Sequence, residues 1–126
     1  MDNFYRDNIL DHYKNPRNFG RLKKPDVSYS EENVTCGDKI GMEVKFRIQN
    51  SEFKIIEDVR FWGEGCAVSM ASSSLLTQKV KGMDVLKVKN LGKEDILKLL
   101  GIELTPTRLK CALLPLEVLQ KALQGK

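Results

Sequence analysis

Over residues 42–49 apolar and polar side chains alternate at every step, Met42, Val44, Phe46 and Ile48 against Glu43, Lys45, Arg47 and Gln49. That period predicts a strand with one buried and one wet face. Asn50-Ser51 offers a tight turn, and Ile55, Val59 and Phe61 resume the alternation over 53–62, so an antiparallel hairpin is expected. A further strand is expected over 27–30. Helical spacing takes over on either side. Phe4, Tyr5, Ile9, Leu10 and Tyr13 mark a short amphipathic helix closed by Asn15-Pro16. A glycine-flanked turn at 63–65 hands the hairpin over to a helix running to about residues 81–82, and a smaller helix over 93–100 stops at Gly101. In the last helix Ala112, Leu116, Leu119 and Leu123 form one stripe. Pro115 has no N–H to give the carbonyl of Cys111, so this helix either starts close to Cys111, with proline in its first turn, or kinks there; the first is expected. The fold class is therefore α+β, a three-stranded antiparallel sheet packed against several helices.

Composition narrows the class without changing that picture. A chain of 126 residues fits one domain, spanning 1–126, and is long enough to bury a core. Its 41% apolar and 30% charged content is that of a soluble protein. No apolar run approaches the roughly 20 residues of a membrane span, and Met1-Asp2-Asn3-Phe4 lacks a basic-then-apolar leader pattern. A cytoplasmic location with free thiols is expected. The 21 basic residues intermingle with 17 acidic ones for a net charge of +4. The loosest cluster, Lys79, Lys81, Lys87 and Lys89, has no interleaved aromatics and reads as a solvated surface rather than a nucleic-acid patch.

The candidate chemistry lies in three cysteines, at 36, 66 and 111. An odd number without a Cys-x-x-Cys pair argues against both a disulfide framework and a zinc ribbon. Cys36-Gly37-Asp38 can offer a thiolate and a carboxylate to one ion, Gly37 letting the backbone turn so that they converge, although the motif alone equally suits a plain turn with a buried cysteine. Cys66 falls at a predicted helix start, where unpaired amides and the helix dipole favour a thiolate, and Cys111 is expected in the same setting. The helix after Cys66 is rich in small residues that permit close packing. The single histidine, His12, is read as a surface or capping group, which leaves a cysteine hydrolase without a base. Cys36, Asp38, Cys66 and Cys111 together carry about −4 when ionised, so a shared site favours a cation. Zinc and a [2Fe-2S]2+ cluster satisfy that bookkeeping equally. Lys110 either offsets part of the charge or faces solvent.

At these residues the chain resembles the IscU/NifU amino-terminal scaffold proteins of iron-sulfur cluster assembly, with SufU-like features. The resemblance rests on residues 9–18, on Thr35-Cys36-Gly37-Asp38, on residues 61–69 with the Ala-Ser-rich helix that follows, and on Arg108-Leu109-Lys110-Cys111-Ala112. It implies a SufE/NifU-like fold and a scaffold, not an enzyme. A transient [2Fe-2S] cluster would be built on it from iron and from persulfide sulfur supplied by a cysteine desulfurase, then passed to apo iron-sulfur acceptor proteins. Cluster or zinc ligands would be Cys36, Asp38, Cys66 and Cys111, with Cys111 as persulfide acceptor and Asp38 as a labile oxygen ligand. The alternative it implies is a SufU-like zinc-dependent sulfurtransferase. Lys110 stands where typical IscU members have histidine, as in the SufU group, whereas the interval from Cys66 to Cys111 is IscU-like, with no room for the SufU insertion. The Leu-Pro-Pro-Val-Lys chaperone motif is only partly echoed by Leu104-Thr105-Pro106-Thr107-Arg108, which weakens the case for an Hsp70-type chaperone pair. A homo-oligomer is left open.

Overall fold

The computed structural model describes residues 3–34, 37–50 and 52–124. Helix α1 (Asn3–Lys14) leads into strands β1 (Val27–Asn33), β2 (Asp38–Gln49) and β3 (Phe53–Glu64). Four helices follow, α2 (Ala67–Val80), α3 (Val85–Lys89), α4 (Lys93–Leu100) and α5 (Pro106–Ala122). The sheet is antiparallel in the order β1-β2-β3, as the alternation predicts, and both hairpin strands extend beyond the predicted ends. One register shift, between Lys45 and Phe46, re-aims the distal half of the hairpin. Ser51, half of the predicted turn, lies outside the described residues; its neighbour Asn50 has φ 55°, the left-handed conformation asparagine tolerates in a turn.

The helix-facing side of the sheet supplies Ile40, Met42 and Val44 from β2 and Val59 and Phe61 from β3, all fully buried. Leu76 and Val80 of α2, Ile96 and Leu100 of α4, and Leu119 of α5 close over them. Each such aliphatic side chain contributes about 1.5–3 kcal/mol by leaving water. The predicted stripe of α5 is buried throughout, Ala112, Leu116, Leu119 and Leu123 alike. Gly101 ends α4 with φ 70°, as its position after the last apolar residue predicts.

Three expectations need correction. Helix α5 begins at Pro106, not close to Cys111: Thr105 caps it, its hydroxyl accepting from the Arg108 amide, and Pro106 takes the first position. Pro115 is therefore interior. The Ser72 hydroxyl of α2 donates to the Ala112 carbonyl at 2.7 Å, a cross-helix bond in the turn that the proline loosens. The segment between α2 and α4, for which the sequence predicts no element, contains α3, whose five residues are too short for a periodic signal and whose cap is Asp84 accepting from the Leu86 amide.

His12 is the third correction. It is 5% exposed, and its Nδ1 lies 2.7 Å from Ser74 Oγ on α2, which also accepts the Arg17 amide at 2.9 Å. Asn18 donates to Thr77 Oγ1 one turn further along α2. Of the apolar residues that mark α1, only Ile9 is buried, while Phe4 stays 69% exposed, so the helix buries one apolar residue and one polar one, Ile9 and His12. The strap after it then pairs with β3, Gly20 donating to the Phe61 carbonyl and Phe61 to that of Asn18.

Candidate metal centre

The first strand crossing sets the corner of the site. Gly37 has φ 76° and donates to the Asn33 carbonyl at 2.8 Å, turning the chain so that Asp38 opens β2 opposite Asn33. Asp38 is 2% exposed despite its charge. It lies against the end of β3, where the chain enters α2 with Cys66 as the N-cap residue. The Cys66 amide donates to Asp38 Oδ1 at 3.0 Å, so the carboxylate takes up one of the donors that a helix start leaves without an intrahelical partner. The Cys66 thiol does not cap its own helix; its Sγ faces Asp38 Oδ2 at 3.8 Å.

Cys111 completes the group from α5. It is 1% exposed and sits in the second turn of that helix, so the expectation that it shares Cys66's place at a helix start is not met. Of these two, Cys66 occupies such a place. The Asp38 carboxylate, Cys66 Sγ and Cys111 Sγ nevertheless lie within 4.8 Å of one another. The sequence places these residues on three separate elements, and the packing of α2 and α5 over the sheet brings them together. Cys36, the fourth predicted ligand, lies outside the described residues. Lys110 is exposed and lines a cavity of about 310 Å3 with Glu31, Glu32 and Glu117.

Two thiols and a carboxylate suit a borderline or soft cation. Tetrahedral zinc with an oxygen and a sulfur ligand holds them about 3.6 Å apart. The 3.8 Å between Cys66 Sγ and Asp38 Oδ2 is close to that before any metal draws the ligands in. The donor set therefore fits a metal ion or an iron-sulfur unit.

Sequence reasoning missed the contribution of Gly65, which precedes Cys66. A Cβ there would fall 3.0 Å from Asp38 Oδ1 and 2.1 Å from Ser69 Oγ. The Gly-Glu-Gly spacing before Cys66 was the available signal, read as a turn and not as cleared space.

Comparison with known proteins places this geometry. The chain is 39% identical to the zinc-dependent sulfurtransferase SufU of Bacillus subtilis (strain 168), over 96% of this chain and 90% of that protein. It is also 39% identical to the iron-sulfur cluster assembly scaffold protein IscU of Aquifex aeolicus (strain VF5), over 95% of this chain and 74% of that one. The match to SufU spreads over 138 positions, more than the chain's own 126 residues, so that relative carries residues without a counterpart here; the match to IscU needs only 120. A solved structure of a SUF-system scaffold protein from Fervidobacterium islandicum AW-1 has the same fold, with a TM-score of 0.77 at 23% identity over 93% of this chain and 94% of that one. The family model described as the NifU-like N-terminal domain matches residues 4–125, and the chain belongs to that family.

Proposed function

We propose that this chain, as a single domain over residues 1–126, is a scaffold on which a transient [2Fe-2S] cluster is assembled and then handed to apoproteins. The observation that carries the reading is the convergence of Asp38, Cys66 and Cys111 from three elements in a member of this family. Cys36 is the fourth ligand in this proposal. Its partners are a cysteine desulfurase, which supplies sulfur as persulfide, and apo iron-sulfur proteins, which take the product. Free thiols suit a reducing cytoplasm. Among the described residues no helix is long and apolar enough to cross a membrane.

Each ligand has a distinct task. Cys66 and Cys111 supply thiolates that hold iron firmly. The Cys111 thiolate attacks the outer sulfur of the desulfurase persulfide, the sulfur–sulfur bond of the donor breaks, and the donor cysteine leaves as thiolate. Since Cys111 is 1% exposed, the corner must open for this attack. Asp38 supplies a harder, weaker ligand that eases entry and release. Lys110, next to Cys111 in the chain, offsets part of the ligands' charge in this reading.

A second reading, a zinc-dependent sulfurtransferase that accepts persulfide at Cys111 without building a cluster, is favoured by the SufU relative. One experiment separates the two. Anaerobic incubation with ferrous iron, cysteine and a desulfurase should develop visible sulfur-to-iron charge-transfer absorption, and Asp38→Ala should lengthen the cluster's lifetime several-fold and slow its transfer to an apo-ferredoxin. Identical spectra from wild type and from Cys36→Ala, Cys66→Ala and Cys111→Ala would overturn the scaffold. Stimulated desulfurase turnover by the zinc form, with no absorption at any stage, would favour the sulfurtransferase.

A further inference from the structure

Asp38 reaches the start of α2 because residue 65 has no side chain. Unlike Gly37, Gly65 does not need to be glycine for its backbone, since its φ lies outside the left-handed region. It needs to be glycine for space: a Cβ would meet Ser69 Oγ at 2.1 Å, Asp38 Oδ1 at 3.0 Å and the Asp38 carboxyl carbon at 3.1 Å. The carboxylate is thus seated against a bare stretch of backbone. There it accepts the Cys66 amide through Oδ1 while Oδ2 faces Cys66 Sγ.

We propose that Gly65 is a positioning residue of the metal centre: its bare face seats the Asp38 carboxylate on the Cys66 amide, so that Oδ1 stays with the backbone and Oδ2 alone is presented to a metal. The inference rests on the metal-binding reading above and deepens it. With Oδ1 held by the Cys66 amide and Oδ2 facing Cys66 Sγ, Asp38 is oriented as a one-oxygen ligand with a resting place to return to when the metal leaves. The hydrogen bond orients the ligand in the way that outer groups orient metal ligands in general, and disturbing such a group costs about 10–100-fold in metal affinity.

The test is Gly65→Ala, read in two ways. In metal-free protein the proton resonance of the Cys66 amide reports its hydrogen bond to Asp38; Gly65→Ala should move it toward its position in Asp38→Ala. Zinc affinity, measured by competition with a chromophoric chelator, should fall about 10-fold or more in Gly65→Ala. In the Asp38→Ala background the same substitution should change it little further, because both act through one carboxylate. An unmoved Cys66 amide, or a Gly65→Ala effect undiminished in the Asp38→Ala background, overturns the proposal. Should circular dichroism show that Gly65→Ala does not fold, the pair Gly65→Ala with Ser69→Ala removes the 2.1 Å contact and leaves the one with the carboxylate, and the same readings apply. A wild-type chain that holds no zinc overturns the metal-binding reading and the ligand half of this inference together, while the amide resonance still decides the seating of Asp38.

Discussion

Helix α2 carries two polar clusters with opposite uses. Along its middle, Ser72, Ser73, Ser74 and Thr77 are all buried, and every hydroxyl is engaged: with the Ala112 carbonyl of α5, with the Ser69 carbonyl, with His12 and Arg17, and with Asn18. Among the described residues no buried side-chain nitrogen or oxygen lacks a partner. At its start, Asp38 and Cys66 are bound to each other by one good hydrogen bond and one long sulfur contact, and the Asp38 carboxylate and the thiols of Cys66 and Cys111 lie within 4.8 Å of one another. Buried polarity holds α1 and α5 to α2 where its bonds are saturated. At the helix start it instead gathers a carboxylate and two thiols, groups of the kind that bind metals.

The contrast is open to direct attack from both ends. The largest effect is expected from Cys66→Ala, which should weaken zinc binding by more than the roughly 100-fold upper range for outer groups, because it deletes a proposed ligand. The metal-free protein should meanwhile unfold within about a degree of wild type, since the thiol makes no cap; a large drop in Tm would merge the two clusters into one. Ser74→Ala should do the reverse. It strands His12 Nδ1 and the Arg17 amide, at a cost of about 2–3 kcal/mol, read as a Tm lower by roughly 5–10 °C with zinc affinity unchanged. The smallest effect concerns acid. Burial, and then the neighbouring Arg17, hold the His12 pKa below its ordinary 6.5, with Asp11 opposing weakly. The folded chain therefore prefers neutral imidazole. The stability this contributes is complete above pH about 6.5 and declines as pH falls from there toward the lowered folded value. His12→Asn should flatten that slope in melts between pH 7.5 and 5.5; an unchanged slope would clear His12 of the role.

The same two clusters mark what was legible from sequence. Strands declared themselves through alternation, and the start of α2 through glycines followed by a small-residue run, so Asp38, Cys66 and Cys111 were identifiable as candidates before any packing was known. What stayed hidden depends on distant partners. His12 looked like a surface group because Ser74 is 62 residues away, and no local pattern announces a bond across that separation. The start of α5 was misplaced because Pro115 was weighed as a helix starter, while Thr105-Pro106, the stronger cap-and-proline signal, went unused. The helix α1 was read correctly, but the burial of its apolar stripe was overread from its aromatics, since burial depends on the surface that packs against them.

Asp38, Cys66 and Cys111 belong to three elements and have no proximity in an extended chain. Such a centre does not exist until β2, α2 and α5 are packed, so a metal that prefers it binds the native state more tightly than the unfolded chain. By mass action, each tenfold rise in free metal above the dissociation constant then adds up to about 1.4 kcal/mol to the stability of the fold. The occupant is thus also a thermodynamic clamp, and every release of cargo returns the chain to its less stable form.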